Sequence, residues 1–188
     1  MIKSIKSYFL ALACEQLRDS RIYTEGFNSL KSVMDQLNAM DWNLAEKMAT
    51  LDRHRDWSFE PIYTAPEFEI NLLMIPQGRG IPLHDHPQMK VWLKVLWGTL
   101  SVQSYDWAED YPYEGLAHLT QRATCNGATE TLCITPKQYN LHEIYATENC
   151  AFLDVLFPPY SDERPCHYYQ KKGSLHRNGE RLFRLVSE

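Results

Sequence analysis

Two histidines separated by one residue, His84 and His86, are the side chains in this sequence best placed for chemistry. In a β-strand successive side chains point to opposite faces, so these two imidazoles project from the same face and can converge on one metal ion. Asp85 then faces away. Pro82 and Pro87 exclude a continuous helix, because proline lacks the backbone N–H that a helix needs. The spacing therefore predicts a short strand that carries a two-histidine metal site.

The residues around the histidine pair resemble the first signature of the cupin β-barrels. Five residues separate Gly78 from His84, and Gly98 closes the strand that follows the pair. This wider pattern matters because the chain has seven histidines, and a purely structural His-X-His pair is the alternative interpretation. The resemblance implies that the pair lies in a cupin barrel and binds a metal.

The same resemblance implies a third ligand from a later strand. His142, in the segment Leu-His-Glu-Ile-Tyr, stands where the second cupin signature would place it, although Tyr139 replaces the glycine of that signature. Many cupins add a glutamate shortly after the histidine pair, but here Lys90 and Val91 occupy those positions. The implied metal site is therefore composed of histidines alone.

Composition narrows the class of protein. With 188 residues, 44% of them apolar, the chain can bury one core, and we expect a single domain. A net charge of −5 without a Lys/Arg cluster argues against nucleic acid and membrane as partners. Five cysteines without a Cys-X-X-Cys pair do not form a disulfide framework. They indicate a reducing compartment, and we expect the cytoplasm, with the nucleus as the alternative.

Residues 1–52 are rich in helix formers, with apolar side chains at intervals of three and four residues. The pattern predicts two or three helices packed on the barrel, with a partner-binding helix pair as the alternative. The apolar run at residues 8–14 is only seven residues long and continues into a helix-forming sequence, so we expect an amphipathic helix rather than a signal peptide. The sequence has no apolar segment near the roughly 20 residues of a membrane span.

From residue 53 to residue 188 the sequence changes to short apolar and β-branched runs separated by Pro, Gly and Asn. This pattern is typical of a mainly β fold, and the number of runs, nine, is consistent with the strands of a jelly roll. The predicted strands are 68–75, 91–97, 99–105, 116–121, 129–134, 142–146, 152–157, 166–170 and 182–186. The acidic segment 106–112 predicts a surface loop. We therefore expect a cupin (double-stranded β-helix, jelly-roll) barrel at 53–188 with N-terminal helices at 1–52, in one structural domain overall.

Three segments make the resemblance more specific. They are Ile-Pro-Leu-His-Asp-His-Pro-Gln-Met with Leu-Lys-Val-Leu-Trp-Gly at 81–98, Asn-Leu-His-Glu-Ile at 140–144, and Phe-Leu-Asp-Val-Leu-Phe-Pro-Pro-Tyr at 152–160 followed by Cys-His-Tyr-Tyr at 166–169. In this order and spacing they resemble the thiol dioxygenases that include cysteamine dioxygenase and the plant cysteine oxidases. The resemblance covers residues 81–170, and Gln88, residues 90–92 and Tyr139 depart from the family pattern.

This resemblance implies a mononuclear non-haem Fe(II) bound by His84, His86 and His142, which adds O₂ to a thiol to give a sulfinic acid. Three neutral imidazoles leave open positions on one face of the iron, and a substrate thiolate supplies the electron density that a carboxylate ligand supplies elsewhere. Coordination also deprotonates a thiol that is mostly protonated at pH 7. The implied substrate is a 2-aminothiol, either cysteamine or the N-terminal cysteine of a peptide, bound through sulfur and nitrogen. We expect a monomer that consumes O₂ and takes part in oxygen sensing.

Four further residues belong to the implied site. Asp154 lies in an otherwise apolar run, where a buried carboxyl group is costly unless it is paired. By resemblance Asp154 and Tyr160 are catalytic residues near the substrate and oxygen sites; the alternative is a structural hydrogen bond for the aspartate and simple packing for the tyrosine. Cys166 and Tyr168 share a face of a predicted strand, and the resemblance implies a thioether cross-link between them.

Two other functions stay open at this point. One is a different cupin oxygenase or isomerase, and the other is a non-catalytic cupin that binds a metal or a small molecule. Iron content together with thiol-dependent O₂ uptake separates them. The physiological thiol depends on loops such as residues 106–113, because surface loops set the size of the substrate that a pocket accepts.

Overall fold

The computed structural model describes residues 4–18, 25–108 and 114–188. The helices are α1 (Ile5–Arg18), α2 (Glu25–Met34), a 3₁₀ helix (Ala39–Trp42) and α3 (Leu44–Ala49). The strands are β1 (Ser58–Thr64), β2 (Glu69–Ile75), β3 (Gly80–His84), β4 (Lys90–Trp97), β5 (Thr99–Trp107), β6 (Glu114–Asn126), β7 (Leu132–Ile134), β8 (Leu141–Ala146), β9 (Cys150–Phe157), β10 (Tyr169–Arg177) and β11 (Glu180–Ser187). Within these residues, no helix combines the length and the apolarity that crossing a membrane requires.

The strands form two antiparallel sheets. One sheet has the order β1-β2-β9-β4-β7, and the other has the order β10-β11-β6-β5-β8-β3. Several neighbours in space are distant in sequence, such as β2 with β9 and β3 with β8. Pairing of early with late strands is expected when an antiparallel jelly roll winds two sheets around one core. The structure confirms the prediction of a mainly β cupin barrel with N-terminal helices.

An apolar core fills the space between the two sheets. Phe152 and Leu93 from the five-stranded sheet belong to the same buried cluster as Val102 from the six-stranded sheet. β5 alternates buried and half-buried residues over most of its length, as expected of a strand with one face on a core. Ile81 and Ile144 also belong to this cluster and line the pocket that contains the histidines, so the core supports one wall of that pocket.

The helices cover the outer face of the five-stranded sheet. Phe9 of α1 and Leu30 of α2 are fully buried, in a cluster that also contains Leu72, Leu153 and Val155 from β2 and β9. The neighbouring residues of β9 point instead into the core between the sheets. β9 is therefore buried on both faces, which explains why its sequence is a nearly continuous apolar run rather than an alternating one.

The histidine pair does not lie on one strand, so that prediction was wrong for His86. β3 ends at His84, and His86 precedes a turn in which Gln88 has a φ of 57°. The side chain of Asn140 accepts a hydrogen bond from the N–H of His86 at 3.2 Å and donates one to its carbonyl at 2.8 Å. An amide side chain thus replaces the strand ladder at His86, and this long-range contact cannot be predicted from local spacing.

The strand predicted at 166–170 was also wrong for residues 166–168. β10 begins at Tyr169, and before it Tyr168 forms only an isolated bridge with His84. The reason is that the backbone of His167 pairs with Asp85: its N–H donates to the Asp85 carboxylate at 2.9 Å, and its carbonyl accepts from the Asp85 N–H at 3.1 Å. Residues 166–168 therefore form a strap that lies against the histidine motif.

Two smaller differences concern strand bounds. β1 was not predicted, because it is an edge strand with exposed positions and with Pro61, which has no N–H for a sheet ladder. β5 continues to Trp107, so the predicted loop at 106–112 begins two residues too early. Residues 109–112 of that loop lie outside the described residues.

Candidate metal centre

The structure brings His84, His86 and His142 together although they come from β3, the turn after it and β8. His84 and His142 are register partners across the two antiparallel strands, and Asn140 fixes His86 beside them. All three are buried, and one ring nitrogen from each lies within 4.8 Å of the other two. The Nε2 atoms of His86 and His142 are 3.4 Å apart. These nitrogens therefore face a common point.

The outward nitrogens of two of these rings have partners. Nδ1 of His84 lies 2.8 Å from the carbonyl oxygen of Pro82, which can only accept, so this nitrogen donates. Nδ1 of His86 lies 2.7 Å from the hydroxyl of Tyr160, which in turn donates to the carbonyl of Asp85 at 2.7 Å and so is free to accept from His86. Both contacts leave the Nε2 lone pair for a metal, which is the usual arrangement of histidine ligands.

Electrostatics also favour neutral rings. Burial lowers the pKa of His84, and burial together with the neighbouring histidines holds the pKa of His86 and His142 well below the usual range. A histidine must be neutral to bind a metal, because protonation removes the lone pair. The donor set, its burial and its outward hydrogen bonds all fit a divalent cation that accepts imidazole ligands, iron among them.

A cavity of about 290 Å³ extends from the histidines to the surface. Its walls carry the four other residues predicted for the site: Asp154, Tyr160, Cys166 and Tyr168. Trp57 and Phe59 also line it, and the Phe59 side chain is 64% exposed, which places this part of the cavity at the opening. The cavity can therefore admit a small molecule or the end of a longer one.

Asp154 lies on β9 within this pocket, opposite Asn71 on β2. It is half-buried, and its Oδ1 is buried with no hydrogen-bond partner among the described residues. Burial raises the pKa of Asp154 from 3.8 to about 7. The carboxyl can therefore take up or release a proton near neutral pH, unlike an exposed aspartate.

Tyr160 and the Cys166 thiol meet on the pocket wall. Burial, with a smaller contribution from Cys166, raises the pKa of Tyr160 far above its usual range, so this hydroxyl stays protonated. Burial raises the pKa of Cys166, and hydrogen bonds with Tyr160 and Tyr168 oppose that rise. The thiol thus lies beside both phenol groups. Cys166 and Tyr168 both line the pocket, although neither lies on a strand, and their cross-link stays a prediction.

Asp85 is a buried residue for which the sequence predicted only that its side chain faces away from the two histidines. Its carboxylate accepts hydrogen bonds from Nδ1 of His167 at 3.0 Å and from the Tyr169 hydroxyl at 2.8 Å, besides the His167 backbone bond. These contacts hold the strap at 166–168 against the metal site. The sequence gives one signal for this role, which is that the alternation of side chains along a strand directs Asp85 away from the histidines. Its partners His167 and Tyr169 could not be found from the sequence, because they lie 82 and 84 residues later.

Comparison with known proteins adds the family. The family model PCO_ADO matches residues 33–183. Human 2-aminoethanethiol dioxygenase is 34% identical over 178 residues, which cover 79% of this chain and 66% of that protein. Plant cysteine oxidase 2 of Arabidopsis thaliana is 33% identical over 157 residues, covering 77% of this chain and 57% of that protein. The chain thus spans less than two thirds of the length of these two relatives.

Among solved structures, a Klebsiella pneumoniae protein with a double-stranded β-helix domain superposes with a TM-score of 0.46 and 13% identity, over 61% of this chain and 85% of that one.

Proposed function

The chain belongs to the PCO_ADO family, and from this premise we propose that it is an Fe(II)-dependent thiol dioxygenase. The proposed reaction adds both atoms of one O₂ to the sulfur of a 2-aminothiol and gives the sulfinic acid. Cysteamine and the N-terminal cysteine of a peptide are the proposed substrates. The observation that carries the proposal is the cluster of three buried, neutral imidazoles in a pocket that also presents Asp154 and Tyr160.

We propose that His84, His86 and His142 hold the iron through Nε2. When bound, Fe(II) would supply the positive charge that favours a substrate thiolate, and it would relay to O₂ the electrons that the thiol sulfur loses as it is oxidised. The chain positions the ligands through Pro82 and Tyr160, whose contacts keep Nε2 of two rings unprotonated. A ligand set that is oriented before the metal arrives does not have to reorganise during the reaction.

Asp154 is the proposed proton acceptor. A free α-amino group has a pKa of about 8, so it must lose a proton before its nitrogen can bind a metal. A carboxyl with a pKa of about 7 has a proton affinity close to that of the amine, which is the condition for efficient transfer near neutral pH. Tyr160, which stays neutral, keeps His86 oriented instead of exchanging its proton.

The ligand assignment is tested by single alanine substitutions of the three histidines. Each should lower bound iron and abolish thiol-dependent O₂ uptake, whereas His118→Ala, at a half-exposed histidine that pairs with Glu180, should change neither. Iron is measured by elemental analysis. A ligand variant that keeps both iron and activity would disprove its assignment, and iron binding without O₂ uptake by the wild type would favour the non-catalytic cupin.

The substrate assignment is tested with two peptides that begin with cysteine, one with a free amine and one N-acetylated. If sulfur and nitrogen both bind iron, acetylation removes one bond and the positioning it gives, a loss that can cost orders of magnitude in rate. We expect a sulfinic acid, detected by mass spectrometry, from the free peptide alone. Equal O₂ consumption with both would show that the thiol binds without the amine.

We also propose that the reaction takes place in a reducing compartment, the cytoplasm or the nucleus, and that the enzyme acts as a monomer whose O₂ consumption serves oxygen sensing. All five cysteines lie in described parts of the chain and none forms a disulfide, which supports a reducing environment. Localisation of a tagged chain and its mass in solution test these points.

A further inference from the structure

A row of polar side chains crosses the inner face of the six-stranded sheet behind the metal site. Gln121 on β6 is the register partner of Ser104 on β5, Ser104 is the partner of His142 on β8, and His142 is the partner of His84 on β3. Side chains of register partners lie on the same face, with Cβ atoms about 5 Å apart. The row therefore connects a serine and a glutamine directly to the third histidine.

His142 differs from the other two histidines in its outward nitrogen. Its Nδ1 is buried and has no hydrogen-bond partner among the described residues, whereas Nδ1 of His84 and Nδ1 of His86 each have one. The backbone of Tyr139 acts against burial by raising the pKa of His142, but it does not have the geometry of a hydrogen bond to Nδ1. A buried N–H without a partner is costly, and ligand histidines nearly always donate this proton.

A second, small cavity lies at this ring. Its volume is about 30 Å³, and its polar lining comes from Ser104, Gln121, Tyr139 and His142. His142 also lines the larger pocket, so the ring separates the two cavities. A water needs roughly 10–15 Å³ and two to four polar partners. The cavity meets both conditions.

Ser104 and Gln121 do not fully satisfy each other's hydrogen-bonding capacity. Ser104 is 1% exposed, and its hydroxyl lies 3.5 Å from Oε1 of Gln121, the outer limit of a hydrogen bond. At this distance both groups retain the capacity to bind a water between them and the ring. Apolar residues on β4 and β7, such as Leu93 and Ile134, line the rest of the cavity.

We propose that this cavity is a water site that completes the metal centre. The water accepts the Nδ1 proton of His142 and donates to Oε1 of Gln121, with the Ser104 hydroxyl as its third partner. Ser104 and Gln121 are then positioning residues, because they fix the tautomer and the orientation of the third ligand through the water. The inference rests on the proposed function, since it concerns a proposed iron ligand.

The test compares variants on the two faces of the same sheet. Ser104→Ala and Gln121→Met each remove a partner of the water, and their matched controls, Ser101→Ala and Gln103→Met, lie on β5 with side chains that line a groove on the outer face. Chelator competition gives the iron dissociation constant of each protein. We expect it to rise about 10-fold or more in the two cavity variants, the usual effect of losing a partner of a ligand, and to stay unchanged in the controls.

Two further measurements separate positioning from folding. The Co(II)-substituted protein should show an exchangeable, paramagnetically shifted Nδ1–H resonance for His142 that exchanges with solvent faster in both cavity variants, while the resonances of His84 and His86 keep their rates. A high-resolution crystal structure of the iron-loaded wild type should show the water. Unchanged dissociation constants and exchange rates in both cavity variants, or a direct bond from Nδ1 to the Tyr139 carbonyl in that structure, would overturn the inference. A wild type that binds no iron would instead refute the proposed function.

Discussion

The carboxyl group of Asp154 lies in an environment that differs strongly from water. One of its oxygens is buried without a partner among the residues that the structure describes, and burial raises its pKa to about 7. Groups with shifted pKa values that line a pocket are candidates for proton transfer. We therefore expect catalysis and stability to depend on this one proton.

Replacing Asp154 with asparagine should slow turnover by about 100-fold or more, the usual contribution of a general acid or base, because the amide cannot accept a proton at neutral pH. The iron content should not change, since Asp154 is not a proposed ligand. Steady-state O₂ uptake and elemental analysis of the same preparation measure both. If the variant unfolds, as seen in a circular dichroism melt, Asp154 has a structural role instead.

The same residue should make the stability of the metal-free protein depend on pH. Between pH 3.8 and about 7 the folded protein holds the Asp154 proton more tightly than the unfolded chain does, so the contribution of Asp154 to the free energy of unfolding falls as pH rises through this range and then levels off. One pKa unit corresponds to about 1.36 kcal/mol, and contact of the pocket with solvent reduces the total, so we expect a fall of about 2 kcal/mol. The Asp154→Asn variant lacks this contribution but keeps the opposite one from the three buried histidines, whose pKa values are lowered, so the fall is obtained as the difference between wild type and variant.

Urea unfolding at pH 5 and at pH 8 measures this difference. Asp162→Asn, at an exposed position, is the matched control and should behave like the wild type. Equal pH dependence in the wild type and Asp154→Asn would show that the carboxyl is hydrated in the metal-free protein.

At this scale the sequence pointed to three histidines that the structure brings together, but not to the groups that position them. His84, His86 and His142 could be selected because the spacing of the pair and the family motifs are local properties of the sequence. Asn140 could not, since it acts on His86 from 54 residues away through its side-chain amide. The outward partners of the rings likewise depend on contacts that only the folded chain creates.

The strap at 166–168 depends on hydrogen bonds to a single side chain, Asp85. It has no ladder of its own, and the carboxylate of Asp85 accepts from His167 and Tyr169 within and beside it. The strap carries Cys166 and Tyr168, so the position of this pocket wall depends on Asp85.

Asp85→Asn should therefore loosen the strap. Hydrogen bonds to a charged acceptor contribute about 1.5–3 kcal/mol each, and an amide can accept at only one of its two positions, so we expect the free energy of unfolding to fall by about 2 kcal/mol. Amide hydrogen exchange at residues 166–169 should accelerate more than exchange in β5. Uniform acceleration throughout the protein would mean that Asp85 supports the whole fold rather than this strap.

Strands could be predicted where both of their faces are buried, or where buried and exposed residues alternate strictly along the chain. β9 was found because helices on one side and the second sheet on the other make its sequence almost wholly apolar. β1 was missed because an edge strand with polar positions resembles a loop in composition. The strap was taken for a strand because its residue types favour one, whereas its hydrogen bonds go to Asp85.

The molecule as a whole has one apolar cluster that joins the helices to the barrel. Phe9 and Leu30 contribute to the cluster that also contains Leu72, Trp92 and Val155. The sequence predicted that the helices pack on the barrel within a single structural domain. That prediction implies that a substitution which removes packing on the helical side of the cluster also destabilises the strands.

Phe9→Ala and Leu30→Ala should each lower the free energy of unfolding by about 3 kcal/mol, the usual cost of a large cavity in a core. Met40→Ala is the control, because that side chain is 88% exposed and should contribute less than about 0.5 kcal/mol. Far-ultraviolet and near-ultraviolet circular dichroism should give coincident transitions in all three variants. Separate transitions for helix and barrel would show two independently folding units.

The pairing of β3 with β8 also bears on when the protein can acquire its metal during synthesis. His86 and His142 are 56 residues apart, and a nascent chain that ends before β8 has only two of the three proposed ligands. Long-range strand pairs form late in folding, because a large loop must first close. If the three histidines hold a metal as proposed, their site is complete only once β8 has been translated, and we expect metal loading to follow that point of synthesis.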